Sequence, residues 1–265
     1  MISDKEIGEK YSFKKIQLKS AFIKHLMKLI GSGWILGIDH KYRQVYDAIE
    51  PKIPWVFVRR VKEIKCNRHN GVLFGCYEII PRYCMDCYKV VIRPRTVVEL
   101  FKLHEVMLNH FPKWIECKCG VEERTYVNAK YGGYCYTQGL EEGQKTYEEV
   151  RRQVSEHISP DVPVVLKRAC TEFKEMYGES DKWDEIRKTK TTEFPREMWD
   201  LVEEWVDEKF IFPEGNPPQP DEVKWGVMEH WLEFAYAIGD ETYAVFTDGE
   251  DMKIKDSTYH KEGRI

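Results

Sequence analysis

The chain has no apolar run approaching the roughly 20 residues needed to cross a bilayer. Its longest greasy stretch, residues 21–36, is interrupted by Lys24, His25 and Lys28 and lacks the small-residue cleavage site of a secretory leader. The sequence therefore reads as a cytoplasmic protein with no transmembrane segment. Phosphate-binding loops are missing too. Gly31-Ser32-Gly33 has neither the third glycine nor the preceding strand of a dinucleotide fingerprint, and there is no Walker sequence. Zinc-hydrolase helices of the His-Glu-x-x-His type and nucleophile elbows are absent as well. Blocks of five or six like charges, low-complexity tracts and internal repeats do not occur.

What the chain does have is apolar surface. Of 265 residues, 42% are hydrophobic and 13% aromatic, which excludes disorder for most of the length. The net charge of −4 is unevenly spread: residues 1–83 carry sixteen Lys/Arg against eight Asp/Glu, whereas residues 176–265 carry eleven against twenty-three. Such asymmetry predicts that the basic and acidic parts pack on each other or on a second copy of the chain, giving a homo-oligomer. The sharper alternative is that the basic part meets an anion such as nucleic acid.

Residues 14–30 form a basic amphipathic helix by spacing, stopped by Gly31-Ser32-Gly33. Trp55 and Phe57 open an alternating run to Ile64, and Asn70-Gly71 then turns a hairpin back through residues 72–80. The middle of the chain repeats short β-branched runs and helical spacings. Strands are expected over residues 88–92, 119–126, 131–136 and 162–166. Helices are expected over 96–107, capped by Thr96 and Glu99, and over 140–158. That order is β-α-β-β-α-β, the split pattern of ferredoxin-like folds. The last part reads as a helix after Pro195, a proline-rich connector over 213–220, a helix over 221–238 and a closing hairpin over 243–254. The overall expectation is an α+β protein. Its divisions are a basic helix and hairpin region (1–83), a ferredoxin-like metal-binding unit (84–178) and an acidic helical region (179–265).

Eight cysteines is a high count for a chain expected in a reducing compartment, where paired cysteines point to metal or redox chemistry. Cys84-Met85-Asp86-Cys87 and Cys117-Lys118-Cys119-Gly120 are the two pairs. A tight turn aims two thiolates at one ion, and two such pairs make a tetrahedral set about 2.3 Å from zinc. The same thiolates suit an iron–sulfur cluster. Competing readings are a thiol redox couple at Cys84 and Cys87 and buried cysteines acting as small core residues. Cys66 and His69, with Cys76 across the expected hairpin, are candidates for a second metal site, and Cys135 and Cys170 for core thiols inside strands.

The expected third strand of the central unit carries Tyr131, Tyr134 and Tyr136 around Gly132-Gly133. RNA-recognition domains place base-stacking aromatics on that strand, and the partial likeness implies nucleic-acid contact there, although the order of glycines and aromatics is shifted. Arg93 and Arg95, with Lys167-Arg168, fall at strand ends, where they can line an anionic ligand. His104-Glu105 and Asp39-His40 are the acid–base dipeptides. The reading as a whole is a zinc-stabilised binding or regulatory protein whose partner is nucleic acid or protein. Its rival is an iron–sulfur or thiol redox enzyme.

Overall fold

The structure is a computed structural model. It describes residues 1–17, 34–36, 42–44, 54–59, 73–75, 78–189, 199–200, 203–204, 219, 221–250 and 252. Seven strands are formed among them. β1 (Trp34–Leu36) and β2 (Tyr42–Gln44) make a two-stranded antiparallel ribbon. The rest form one sheet: β3 (Trp55–Arg59), β4 (Cys87–Ile92), β5 (Glu116–Val121), β6 (Tyr131–Gln138) and β7 (Val164–Arg168). Its order is β3-β5-β6-β4-β7, and every neighbouring pair is antiparallel.

Two helices connect strands that are not neighbours. α3 (Val97–Asn109) links β4 to β5 and α4 (Leu140–His157) links β6 to β7, so each connection passes over one intervening strand. Both start where the sequence expects. Thr96 Oγ1 accepts from the Glu99 amide at 3.2 Å. The Glu99 carboxylate reaches past Thr96 to the Arg95 amide at 2.7 Å, so the capping box closes one residue early. α3 buries Leu100, Phe101, Leu103, Val106 and Met107, the i, i+3, i+4, i+7 face that helical periodicity demands. With α4 it covers one side of the sheet in the two-layer arrangement of α+β domains.

The core on that side draws on the whole chain. Ile7 and Tyr11, from or just after α1 (Asp4–Lys10), meet Val56 of β3 and the α3 side chains. Val227, Met228, Trp231, Leu232 and Ala235 of α7 (Asp221–Ala237) close it. β3 thus extends the central sheet at its edge, and the 1–83 and 179–265 stretches both contribute to one core. A smaller cluster at the β7 end joins α2 (Arg82–Met85), α5 (Thr171–Tyr177) and the Trp183 ring at the start of α6 (Trp183–Thr189).

Several expectations change. β3 pairs with β5, and residues 73–75, expected in the returning limb of a hairpin, are helical. The closing hairpin is replaced, over its described residues, by a 3-10 helix at Glu241–Val245, capped by Asp240 Oδ1 accepting from the Thr242 amide at 3.0 Å. Cys170 is the cap residue before α5 rather than a strand residue. In the acidic region the buried Glu203 carboxylate accepts from the Arg82 amide at 3.2 Å. The helix expected over 14–30 lies outside the described residues beyond 17, as do Asn70-Gly71, most of the helix after Pro195 and all of the proline-rich connector except Gln219. No described helix is long and apolar enough to cross a membrane.

Candidate functional site

Strand alternation sorts the central residues onto two faces. Cys117 lies opposite Cys135, which lies opposite Val90, and Cys119 lies opposite Gly133. These residues face α3 and α4 and are almost wholly buried. Burial pushes the Cys117 thiol up to about 12 and those of Cys119 and Cys135 well above the ordinary thiol value. They are neutral, core-forming thiols at neutral pH.

The cysteine tetrad is not assembled. Cys87 pairs with Gln138, three residues along β6 from Cys135 and one strand farther from β5. Its parity also puts it on the opposite face from Cys117 and Cys119, and Cys84 packs in the separate cluster at the β7 end. At strand spacings of about 4.8 Å and rises of about 3.3 Å, the two pairs stand on the order of 10 Å or more apart. One metal ion needs its sulfurs at about 2.3 Å. Among the described residues no group of three or more His, Cys, Asp or Glu side chains is placed to hold a metal ion. The residues therefore do not fit zinc or an iron–sulfur cluster as a shared four-cysteine site. Cys84 and Cys87 are buried and in no disulfide, short of the partial exposure that redox exchange needs. Cys66, His69 and Cys76 lie outside the described residues, as do Asp39 and His40.

The other face of the sheet carries a different set of side chains. One row across the strands reads Lys167, Lys89, Tyr136, Glu116, and the next reads Val165, Val91, Tyr134, Lys118, Phe57. Trp55 stands beyond, opposite Gly120, which is opposite Gly132. Close approach requires the glycine at 120 and favours the one at 132. A Cβ on Gly120 would lie 2.1 Å from the Pro54 carbonyl oxygen and 2.9 Å from the Trp55 ring, and one on Gly132 would crowd the Arg93 guanidinium at 3.2 Å.

These rows line a cavity of about 230 Å³ whose wall holds five cations (Lys89, Arg93, Lys118, Arg124, Lys167), one carboxylate (Glu172) and the rings of Trp55, Tyr134 and Tyr136. The Lys118 ammonium lies 4.7 Å from the Trp55 ring centre, 5.3 Å from Phe57, 5.8 Å from Tyr134 and 6.0 Å from Tyr136. That is cation–π range for each. Trp55 and Tyr134 meet edge to face at 5.3 Å. Beneath them, Glu122 is buried and accepts from Arg124 at 2.6 and 2.7 Å and from the Tyr134 hydroxyl at 2.7 Å. Burial alone would raise this carboxyl, but those hydrogen bonds outweigh it and hold it below the usual carboxylate value. Arg93 donates to the Tyr134 hydroxyl at 2.9 Å. Burial, and then the facing Lys89, bring the Lys167 amine down to about 8.

Comparison with known protein families, curated proteins and solved structures finds no match. The site is read from its own chemistry.

Of the residues singled out for nucleic-acid contact, the cavity brings together Tyr134, Tyr136 and Arg93. Tyr131 has the other parity and is buried in the core, its hydroxyl donating to Asp240 at 2.6 Å. Arg95 is committed to Glu99 at the start of α3, and Arg168 to the Met85 and Ser180 carbonyls at 2.6 and 2.9 Å. His104 is a core residue: burial lowers it to about 4, and its Nδ1 shares a hydrogen bond with the Tyr11 hydroxyl at 3.0 Å. Trp55, Lys89, Lys118 and Arg124 were not singled out. For Lys118 the signal was present, as the residue between two same-face cysteines.

Proposed function

We propose that the chain is a binding protein for single-stranded nucleic acid, which it holds on the aromatic and basic face of its sheet. The observation that carries the reading is the cavity itself, where five cations and three aromatic rings converge on one sheet face. Single-strand binding needs that pair of features: cations for the phosphates and flat rings on which unpaired bases stack, each stack being worth about 1–3 kcal/mol. At about 230 Å³ the space is below the roughly 300–1,000 Å³ of drug-sized ligand pockets and suits one nucleotide unit of a longer strand. Lys118 covers the rings in the free protein. Its flexible stem lets the ammonium turn toward a phosphate while a base takes its place over Tyr136 and Trp55.

A finer reading of the fold supports this. The element order from β4 to β7, with strand order β5-β6-β4-β7, has each β-α-β unit split by one antiparallel strand, as in ferredoxin-like domains. RNA-recognition domains use the corresponding sheet face for stacking. In that reading β3 is an added edge strand that contributes Trp55. We place the protein in the cytoplasm, where such strands are available. The four-cysteine site is not carried forward, because among the described residues Cys84 and Cys87 stand apart from Cys117 and Cys119.

The test is fluorescence anisotropy with a labelled single-stranded hexanucleotide, RNA and DNA in parallel, at low salt. Binding should weaken linearly in log affinity against log salt. Tyr136→Ala should weaken it by about five- to hundredfold without changing the thermal midpoint much. No binding at low salt, or equal binding by Tyr136→Ala, would remove the reading.

A further inference from the structure

We propose that Lys89 and Lys167 form a subsite for a terminal phosphate, a phosphomonoester at the end of the bound strand. The inference rests on the nucleic-acid reading above and assigns one end of the cavity. The two lysines are directly opposite each other on adjacent strands, on the same face, and both line the cavity. Like charges placed directly opposite across a sheet destabilise it. Here the pair is also half-buried, so the repulsion is screened less than it would be in open water. The Lys89 ammonium already donates to the Cys170 sulfur at 3.0 Å, and Glu172 offsets part of the repulsion. A dianion between the two ammonium groups replaces the remainder with two charge-assisted hydrogen bonds.

The shape of the cavity favours a chain end over an internal phosphate. Directly after β7 the chain turns through Ala169, Cys170 and Thr171. Cys170 and Thr171 contact Lys89 and Lys167 and form the wall at the lysine end, while Glu172 accepts from Arg124 at 3.0 Å. A strand entering along the aromatic rows meets that wall and stops. A phosphomonoester brings about −1.5 to −2 charges and three acceptor oxygens, whereas an internal diester has one charge and two free oxygens. The extra acceptor has a neutral partner at hand in the Thr171 hydroxyl, which the Lys167 amine already contacts. Tyr136 adjoins the pair, with the Lys89 ammonium 5.4 Å from its ring centre. The terminal base then stacks where its own phosphate can reach both lysines. Arg93 sits at the Tyr134 side of the cavity and serves a phosphate farther along the strand, where Arg124 is held by Glu122 and Glu172.

The experiment compares one hexanucleotide in three forms: unphosphorylated, 5′-phosphorylated and 3′-phosphorylated, labelled at the opposite end in each case. One phosphorylated form should bind about tenfold tighter than the unphosphorylated one, the worth of a charge-assisted contact. In Lys167→Met that advantage should fall below about twofold, read as the ratio of phosphorylated to unphosphorylated affinity within the variant, whatever both forms lose in common. Lys89→Met serves as the second variant, and thermal midpoints establish that each is folded. Equal binding of all three forms by the wild type overturns the terminal-phosphate subsite and leaves the nucleic-acid reading standing. An advantage that survives both substitutions overturns the assignment to these lysines. Failure of every form to bind removes both readings together.

Discussion

The two faces of the five-stranded sheet are built by the same strands and differ by one residue in register. Toward α3 and α4 the strands present Val90, Ile92, Cys117, Cys119 and Cys135, all dry, with thiols raised by burial so that they stay uncharged. Toward the cavity they present Lys89, Arg93, Lys118, Tyr134 and Tyr136, cations and rings packed within a few ångströms of each other. Chain position alone separates the two chemistries. Lys118, whose ammonium lies within 6.0 Å of four ring centres, is flanked in sequence by two of the most buried thiols of the core. Cysteines spaced i, i+2 aim at a common ion when they sit in a turn. Inside a strand the same spacing only guarantees that they share a face.

The comparison can be broken most sharply by cutting into the core face. Phe101 is fully buried, with its ring 5.4 Å from Trp231 and 4.5 Å from Phe246, measured between ring centres. Phe101→Ala should cost about 3–5 kcal/mol through lost burial and a residual cavity. Val165 is on the cavity side and 49% exposed, so Val165→Ala should stay within about 0.5 kcal/mol. Urea unfolding of both variants measures the difference. Similar costs would mean that the two faces are not as unlike as their residues indicate.

A smaller effect separates the core-thiol reading of Cys119 from the metal reading. Cys119→Ser introduces a hydroxyl into a fully buried position and should cost about 1–3 kcal/mol. Cys170→Ser, at a partly exposed cap position, should be close to neutral. Neither change should depend on metal, and a strong chelator should leave the thermal midpoint of the wild type where it was. A large drop on chelation would restore a metal-held fold, because the free energy of structural metal binding is folding free energy.

Much of the fold was legible because it is local. The strands and helices between residues 87 and 168 follow from β-branched runs, the Thr96 cap and helical spacing, and the structure shifts their ends by only a few residues. Strand alternation was legible too, in Trp55 and Phe57. What the sequence hid was pairing. Nothing local says that β3 joins β5 instead of turning back on itself, and that pairing is what brings Trp55 beside Tyr134. Register was hidden for the same reason. Spacing along the chain makes the cysteine tetrad plausible. Their separation is set by β6 lying between β5 and β4 and by opposite parity. The tyrosines of β6 divide on the same rule: Tyr134 and Tyr136 reach the cavity, while Tyr131 goes to the core.

The mildest test concerns a residue whose charge is costly where it sits. Lys167 has its amine lowered from the ordinary 10.5 to about 8 by burial and by Lys89, with Arg93 acting in the same direction and Cys170 and Glu172 against it. Below pH 8 the folded and unfolded chains both carry the proton, and the folded state bears the whole penalty. Between about pH 8 and 10.5 the folded chain gives up the proton first, so the penalty shrinks as pH rises and vanishes above that window. Lys167→Met removes the charge altogether. It should therefore stabilise the protein at pH 7 by about 1 kcal/mol, a figure reduced for screening by solvent at a partly exposed site. The advantage should fall toward zero by about pH 10. Denaturant midpoints of variant and wild type, taken at pH 7, 8.5 and 10, give the difference directly, since other groups titrating in that range cancel between the two. Stabilisation at neutral pH together with loss of the phosphate preference would mark Lys167 as a position where the folded chain tolerates instability in order to bind an anion. Destabilisation at pH 7 would mean that its contacts with the cavity wall outweigh the repulsion from Lys89.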